Sequence, residues 1–204
     1  MSLRWRRRVG LAAAAAVLRG GWGSGTVEAQ FDPSRIVVFG TGFSDLGQGG
    51  SRYSVNDGSA TMWTERVAIS YGLALTTAAK GGLSFATGNV RVKAKPDAAG
   101  NGSTPTVIEQ VDGFLASGPI GENDLLIVEG GVSDVIAEMG KVSAGTQTSD
   151  QMIAAVQQAG RDLAAQVQRL VDAGATHIMV VGSYDLGRTP WATAISQQNL
   201  LTQA

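Results

Sequence analysis

Three short runs of consecutive apolar residues, separated by helical patterns, constrain the fold of this chain most. They lie within residues 35–39, 124–128 and 177–181. Consecutive rather than alternating apolar residues are typical of parallel strands that are covered on both faces. Strands that alternate with helices predict an α/β fold of three layers, in which helices cover both faces of a parallel sheet. Because no internal repeat is present, we expect one domain over residues 30–204.

The segments between these runs predict helices. The strongest pattern covers residues 149–172, where Thr148 and Gln151 form a capping box and Gly174 provides a stop. Its apolar stripe is Met152, Val156, Ala159, Leu163, Val167 and Leu170. Further helices are predicted over residues 62–71, 107–117, 132–139 and 195–203, with loops over 40–58 and 184–190.

The first residues have the pattern of an export signal. Four Arg residues between positions 4 and 8 precede an apolar run over 9–18, and Ala29 ends a small-residue cleavage pattern. This pattern predicts a signal peptide over residues 1–29 and a secreted or periplasmic protein. The alternative is a short N-terminal anchor, but ten apolar residues are too few to span a bilayer. Trp22 lies where a lipoprotein would need Cys, so we expect no stable membrane anchor.

Composition excludes several kinds of site. The chain has no Cys and one His, so disulfides, cysteine nucleophiles, thiolate zinc sites and histidine-rich metal sites are excluded. Residues 30–204 carry 11 Lys and Arg against 16 Asp and Glu, a net charge of −5 with no basic run. This charge argues against nucleic-acid binding. We expect neither a metal nor a cofactor, and oligomeric state stays open.

Residues 39–47, Phe-Gly-Thr-Gly-Phe-Ser-Asp-Leu-Gly, follow the first run. They resemble the F-G-D-S-(L/F)-S-D-x-G block of the SGNH hydrolases, also called the GDSL esterase/lipase family. In that block the first Ser is the nucleophile, and its own N–H joins the oxyanion hole. In this sequence Thr41 lies at the family's Asp and Gly42 at the nucleophilic Ser. The positions that match are Ser44, Asp45 and Gly47.

Later segments resemble further blocks of the same family, in the same order over residues 35–204. Residues 79–82 resemble the second block, in which Gly81 or Gly82 would donate an N–H to the oxyanion. Residues 129–134 resemble the G-G-x-N-D block, with Ser133 in place of the oxyanion-binding Asn. Residues 185–190 resemble a stretch common in the bacterial lipase-like branch. The D-x-x-H block, which supplies the family's acid and base, is absent from the sequence.

The resemblance implies a flavodoxin-like SGNH hydrolase fold that lacks its last strand. It also implies a secreted carboxylesterase or lipase that acts on a small-molecule or lipid ester through a Ser-His-Asp acyl-enzyme mechanism. Because Gly42 has no hydroxyl and D-x-x-H is absent, we expect catalysis to be strongly impaired. Ser44 is a weak substitute, and His177 is expected at the opposite edge of the sheet. The alternatives are a non-catalytic ligand-binding protein and a truncated fragment that is unstable because its sheet has an unpaired edge.

The same residues permit two other interpretations. Gly40-Thr41-Gly42 resembles the start of a dinucleotide-binding fingerprint, but Asp45 stands at the third Gly and would repel a pyrophosphate. Three carboxylates at one sheet edge could hold a divalent cation, but capping and turn roles are the commoner use of Asp. These carboxylates belong to Asp45, Asp134 and Asp185.

Overall fold

A computed structural model describes residues 31–204, which form an α/β unit around a three-stranded parallel sheet. The strands are β1 (Arg35–Phe39), β2 (Asp124–Glu129) and β3 (His177–Val181), and β2 lies between the other two. The register pairs Val37 with Leu126, and Leu126 with Ile178. The predicted parallel α/β arrangement is confirmed, and β2 is one residue longer than predicted.

Six helices surround the sheet within the described residues. They are α1 (Trp63–Ser70), α2 (Val107–Ser117), α3 (Val132–Ser143), α4 (Ser149–Asp172), α5 (Pro190–Ala194) and α6 (Gln198–Gln203). The predicted capping box of α4 is present, since the Thr148 hydroxyl accepts the Gln151 N–H at 3.2 Å. None of these helices combines the length and the hydropathy that a membrane-spanning segment requires.

Two helix predictions were wrong in their bounds. Helix α3 continues four residues past Met139, to Ser143. The single helix predicted over residues 195–203 is instead the pair α5 and α6, because Thr189 caps an earlier start and Ser196 adopts a φ of +54°. A left-handed residue at Ser196 interrupts the helical hydrogen bonds.

Helices pack on both faces of the sheet because successive strand side chains point to opposite sides. On one face, Val37 and Leu126 pack with residues of α2 and α4. On the other face, Val38 and Ile127 pack with Ala68 of α1. The predicted α4 stripe is buried, except that Val167 is partly buried, and its N-terminal part packs against α3, α5 and α6 instead of the sheet.

The two outer edges of the sheet differ. Residues 83–85 run beside β1, where the Val38 N–H donates to the Leu83 carbonyl at 2.9 Å and the Phe85 N–H donates to the Val38 carbonyl at 2.7 Å. Within residues 31–204, β3 pairs with β2 alone, and Met179 and Val180 are 38% and 52% exposed. The sheet therefore ends at the surface in an apolar strand without charged residues.

Candidate functional site

A cavity of about 450 Å³ lies at the carboxyl end of the sheet. Its lining comes from the segments that follow all three strands and from the start of α1: Phe43, Trp63, Glu129, Val132, Val181, Gly182 and Tyr184. Ligands of open α/β sheets bind at this end, and the volume lies within the range of small-molecule sites. We take this cavity as the candidate functional site.

A buried Thr41–Glu129 pair joins the ends of β1 and β2 beside the cavity. The Thr41 N–H donates to Glu129 Oε2 and the Thr41 hydroxyl donates to Glu129 Oε1, both at 2.7 Å. A Cβ on Gly40 would lie 2.7 Å from Glu129 Oε2, so glycine is needed for this approach. The Gln110 side chain bonds both the N–H and the carbonyl of Gly40, at 2.8 and 3.1 Å. The turn after β1 is therefore held by two neighbouring elements.

Glu129 is a desolvated carboxyl in an apolar wall. It is 3% exposed, and burial raises its pKa, although the hydrogen bonds from Thr41 act in the opposite direction. No Lys or Arg among residues 31–204 forms an ion pair with it. Such a carboxyl can act as an acceptor toward a ligand or, when protonated, as a donor.

The space above Gly42, at the family's nucleophile position, is occupied by the ring of Tyr53. Gly42 begins a short 3₁₀ turn after β1, and a Cβ there would lie 3.0 Å from the nearest ring carbon of Tyr53. A Cβ on Gly88 would lie 2.1 Å from another carbon of the same ring. The two glycines thus form a slot that admits the aromatic ring.

Ser44, the predicted weak substitute for the nucleophile, is fully buried. Its hydroxyl lies close to the Glu129 carboxyl, where it lowers the pKa of that group, but it forms no hydrogen bond of normal geometry within the described part of the chain, and Ser44 does not line the cavity. Asp45 accepts the N–H groups of Gly47, Gln48 and Gly88, each at 2.8 Å. The positions that match the family block, Ser44, Asp45 and Gly47, therefore stabilise the loop and present no accessible hydroxyl.

The structure does not bring Gly81 and Gly82 to Gly42. Ser84 pairs with Val38 in a parallel bridge, so the two glycines before it lie toward the amino end of β1. Gly82 shares a surface depression with Arg35 at that end. Gly88 faces another edge of the Tyr53 ring that covers Gly42, and its N–H donates to Asp45 Oδ2.

Ser133 and His177 lie at opposite ends of the sheet. Ser133 is buried in the first turn of α3, next to the cavity-lining Val132. His177 begins β3, where its ring stacks on Phe31 with centroids 3.8 Å apart. His177 precedes Val180 by three positions, and Val180 is level with the end of β1, so the backbone of His177 lies about 10 Å from that level along the strand. The imidazole cannot take a proton from a group at Gly42.

The three Asp residues considered for a cation have separate local partners. Asp134 pairs with Arg91 and accepts the Val92 N–H at 3.0 Å. Asp185 accepts the Gly187 N–H at 2.9 Å. Among residues 31–204, no group of three or more potential ligands could hold a metal ion. The local bonds of these residues favour the capping and turn interpretation.

Sequence patterns missed the buried ion pairs of Arg91. This side chain is 6% exposed and contacts Asp134 at 3.1 Å and Glu138 at 2.5 Å, while Lys141 contacts Glu138 at 2.7 Å. Glu129 was missed as a site residue too. The available signal was a carboxylate that directly continues a buried apolar strand, where an unpaired charge is costly. Nothing in the loop composition around Tyr53 indicates that its ring folds back on Gly42.

No protein-family model matches this chain, and a search of the curated proteins found no matching relative. The resemblance to the SGNH hydrolases therefore rests on the sequence blocks, of which those over residues 39–47, 129–134 and 185–190 follow the three strands and the one over residues 79–82 does not.

Proposed function

We propose that this chain has an SGNH hydrolase type of fold and binds an apolar small molecule or lipid ester in the carboxyl-end cavity, with acyl transfer strongly impaired. The observation that carries the proposal is the pairing of an apolar cavity with a nucleophile position, Gly42, that has no side chain and is covered by Tyr53. A ligand can be held there without a group that attacks it.

The residues present do not assemble the machinery of acyl transfer. A serine mechanism needs an exposed hydroxyl and a base within hydrogen-bond reach. Ser44 is buried, and the one His of the sequence lies at the far end of the sheet. Loss of nucleophile or base costs on the order of a million-fold in turnover in a serine protease.

Export is part of the proposal. The signal-peptide pattern lies in residues 1–29, outside the described residues, and supports a secreted or periplasmic protein. An exported protein would meet its ester or lipid ligand outside the cytoplasm. Detection of mature protein that begins at Gln30, in the medium or periplasm, would test this part.

Ligand binding is tested with a neutral hydrophobic dye in the presence of a short-chain p-nitrophenyl ester as competitor. We expect the ester to displace the dye. Val181→Asp, which places a charge in the cavity wall, should weaken dye binding at least about tenfold, because burying an unpaired charge is costly. Val171→Asp, on the exposed surface of α4, is the matched control and should bind as the unmodified chain does. Equal binding by all three proteins would place the ligand elsewhere.

A further inference from the structure

Aromatic side chains and one carboxylate dominate the walls of the cavity. Phe43, Trp63 and Tyr184 supply three rings, and Glu129 is the one charged residue that the described part of the chain contributes to the lining. The rings of Phe43 and Tyr184 lie 5.7 Å apart between centroids with an interplanar angle of 67°. Two walls therefore meet at a steep angle near the opening, where both side chains are about half exposed.

The three rings and the Glu129 carboxylate favour a positively charged ligand over a negatively charged one. The face of an aromatic ring carries negative potential and attracts cations. An ionised Glu129 has about four acceptor sites, of which Thr41 uses one on each oxygen, so acceptor capacity remains on both. Among residues 31–204, no Lys, Arg or His lines the cavity to attract an anion. A carboxylate or phosphate ligand would meet repulsion there, whereas a cation would compensate the buried charge.

We propose that the cavity takes an alkylated ammonium cation, with its nitrogen between the aromatic rings and Glu129 and its alkyl groups against Val132 and Val181. This inference rests on the proposed function, because it names the class of ligand for the same cavity. It also accounts for a buried carboxylate that no cationic side chain among residues 31–204 neutralises.

The walls distinguish an alkylated ammonium from other cations. A primary ammonium or a guanidinium needs several hydrogen-bond acceptors, and the other lining side chains are mostly apolar. A divalent metal ion needs about six oxygen ligands, which one carboxylate does not supply. A quaternary ammonium needs neither hydrogen-bond acceptors nor oxygen ligands, and its methyl groups suit an apolar wall. A volume of about 450 Å³ leaves room for such a head group and a short acyl or alkyl chain.

The test compares butyrylcholine with its neutral carbon isostere, in which a tert-butyl group replaces the trimethylammonium group. Calorimetric titration of the full chain should show about tenfold tighter binding of the cation, because the rings and the Glu129 carboxylate together favour the positive charge. Glu129→Gln should reduce this preference to about twofold or less while the isostere still binds. Glu122→Gln removes an exposed carboxylate before β2 and should keep the full preference.

Phe43→Leu provides a second variant, because this residue is exposed at the mouth and its replacement does not disturb the Thr41–Glu129 pair. It should lower the preference about threefold, since the apolar area is largely kept and the ring is lost. Equal affinity for both probes, or an unchanged preference in Glu129→Gln and Phe43→Leu, would overturn the ammonium inference. Neither result would contradict the proposal that the cavity binds a ligand. Failure of both probes and of the neutral dye to bind would overturn the proposed function as well.

Discussion

Replacing Arg91 by Met should destabilise the fold far more than any loss of a surface ion pair. Arg91 is the buried cation between Asp134 and Glu138, whose side chains are 2% and 4% exposed. After Arg91→Met, Glu138 keeps Lys141, but the N–H of Val92 is the one partner that Asp134 keeps among residues 31–204. Removing one partner of a buried pair leaves an uncompensated charge and costs about 3–5 kcal/mol. At about 2–4 °C per kcal/mol for a domain of this size, the Tm should fall by about 6–20 °C.

The matched control is Arg169→Met, because Arg169 pairs with Asp112 at the surface, where both side chains are about half exposed. An exposed pair contributes about 0–1 kcal/mol. Urea unfolding followed by circular dichroism at neutral pH measures both variants against the unmodified chain. If both variants lost a similarly small amount of unfolding free energy, the assignment of Arg91 to a buried network would be refuted.

The pH dependence of the Arg91→Met loss gives an independent check. Burial raises the pKa of Asp134, and Arg91 opposes this rise, so its removal should raise the pKa further. A group whose pKa is raised in the folded state loses stability as pH rises through that pKa. The loss of unfolding free energy in Arg91→Met, relative to the unmodified chain, should therefore be largest at neutral pH and become smaller on acidification. A deficit that stays constant down to about pH 4, near the ordinary Asp pKa, would contradict an electrostatic cause.

Three further predictions concern the cavity and the sheet edge. Gly42→Ser should cost about 1–3 kcal/mol through overpacking against Tyr53 and should gain no esterase activity; adding Tyr53→Ala should recover most of that loss in a double-mutant cycle. Glu129→Gln should gain stability relative to the unmodified chain as pH rises from about 4 to 8, because burial raises the pKa of Glu129 above its ordinary 4.5. If the difference in unfolding free energy between the two proteins, measured in urea, does not change with pH, this prediction is wrong. Val180→Lys on the exposed β3 edge should change stability by less than about 0.5 kcal/mol and reduce aggregation in light scattering, whereas Val171→Lys on α4 should not affect aggregation.

The elements were predictable from sequence where local signals decide them. The bounds of β1, β3 and α2 agree with the apolar patterns, and the α4 cap follows from hydroxyl and amide groups three residues apart. The short segment 83–85 beside β1 carries no strand-length run, so its pairing depends on tertiary contacts. Patterns of period two or 3.6 report burial of a whole element, and they do not report a single bridge.

The site was predictable only in its location. The carboxyl ends of parallel strands indicate the correct edge, but the side chains that meet there are distant in sequence. Thr41 and Glu129 are 88 positions apart, and Arg91 and Asp134 are 43 apart. Gly81 and Gly82 matched a short block whose register against β1 depends on the bridge at Ser84. Two adjacent glycines alone do not indicate which end of a strand they approach.

The proposed function requires a cavity that binds an ester without carrying out acyl transfer. The most direct measurement is to incubate the purified chain with a fluorophosphonate probe and a p-nitrophenyl ester, follow p-nitrophenol release, and locate any adduct by mass spectrometry. We expect the ester to displace the neutral dye, p-nitrophenol release to stay near the uncatalysed rate, and no adduct to form. Steady turnover together with a covalent adduct on Ser44 or Thr41 would contradict the proposed function.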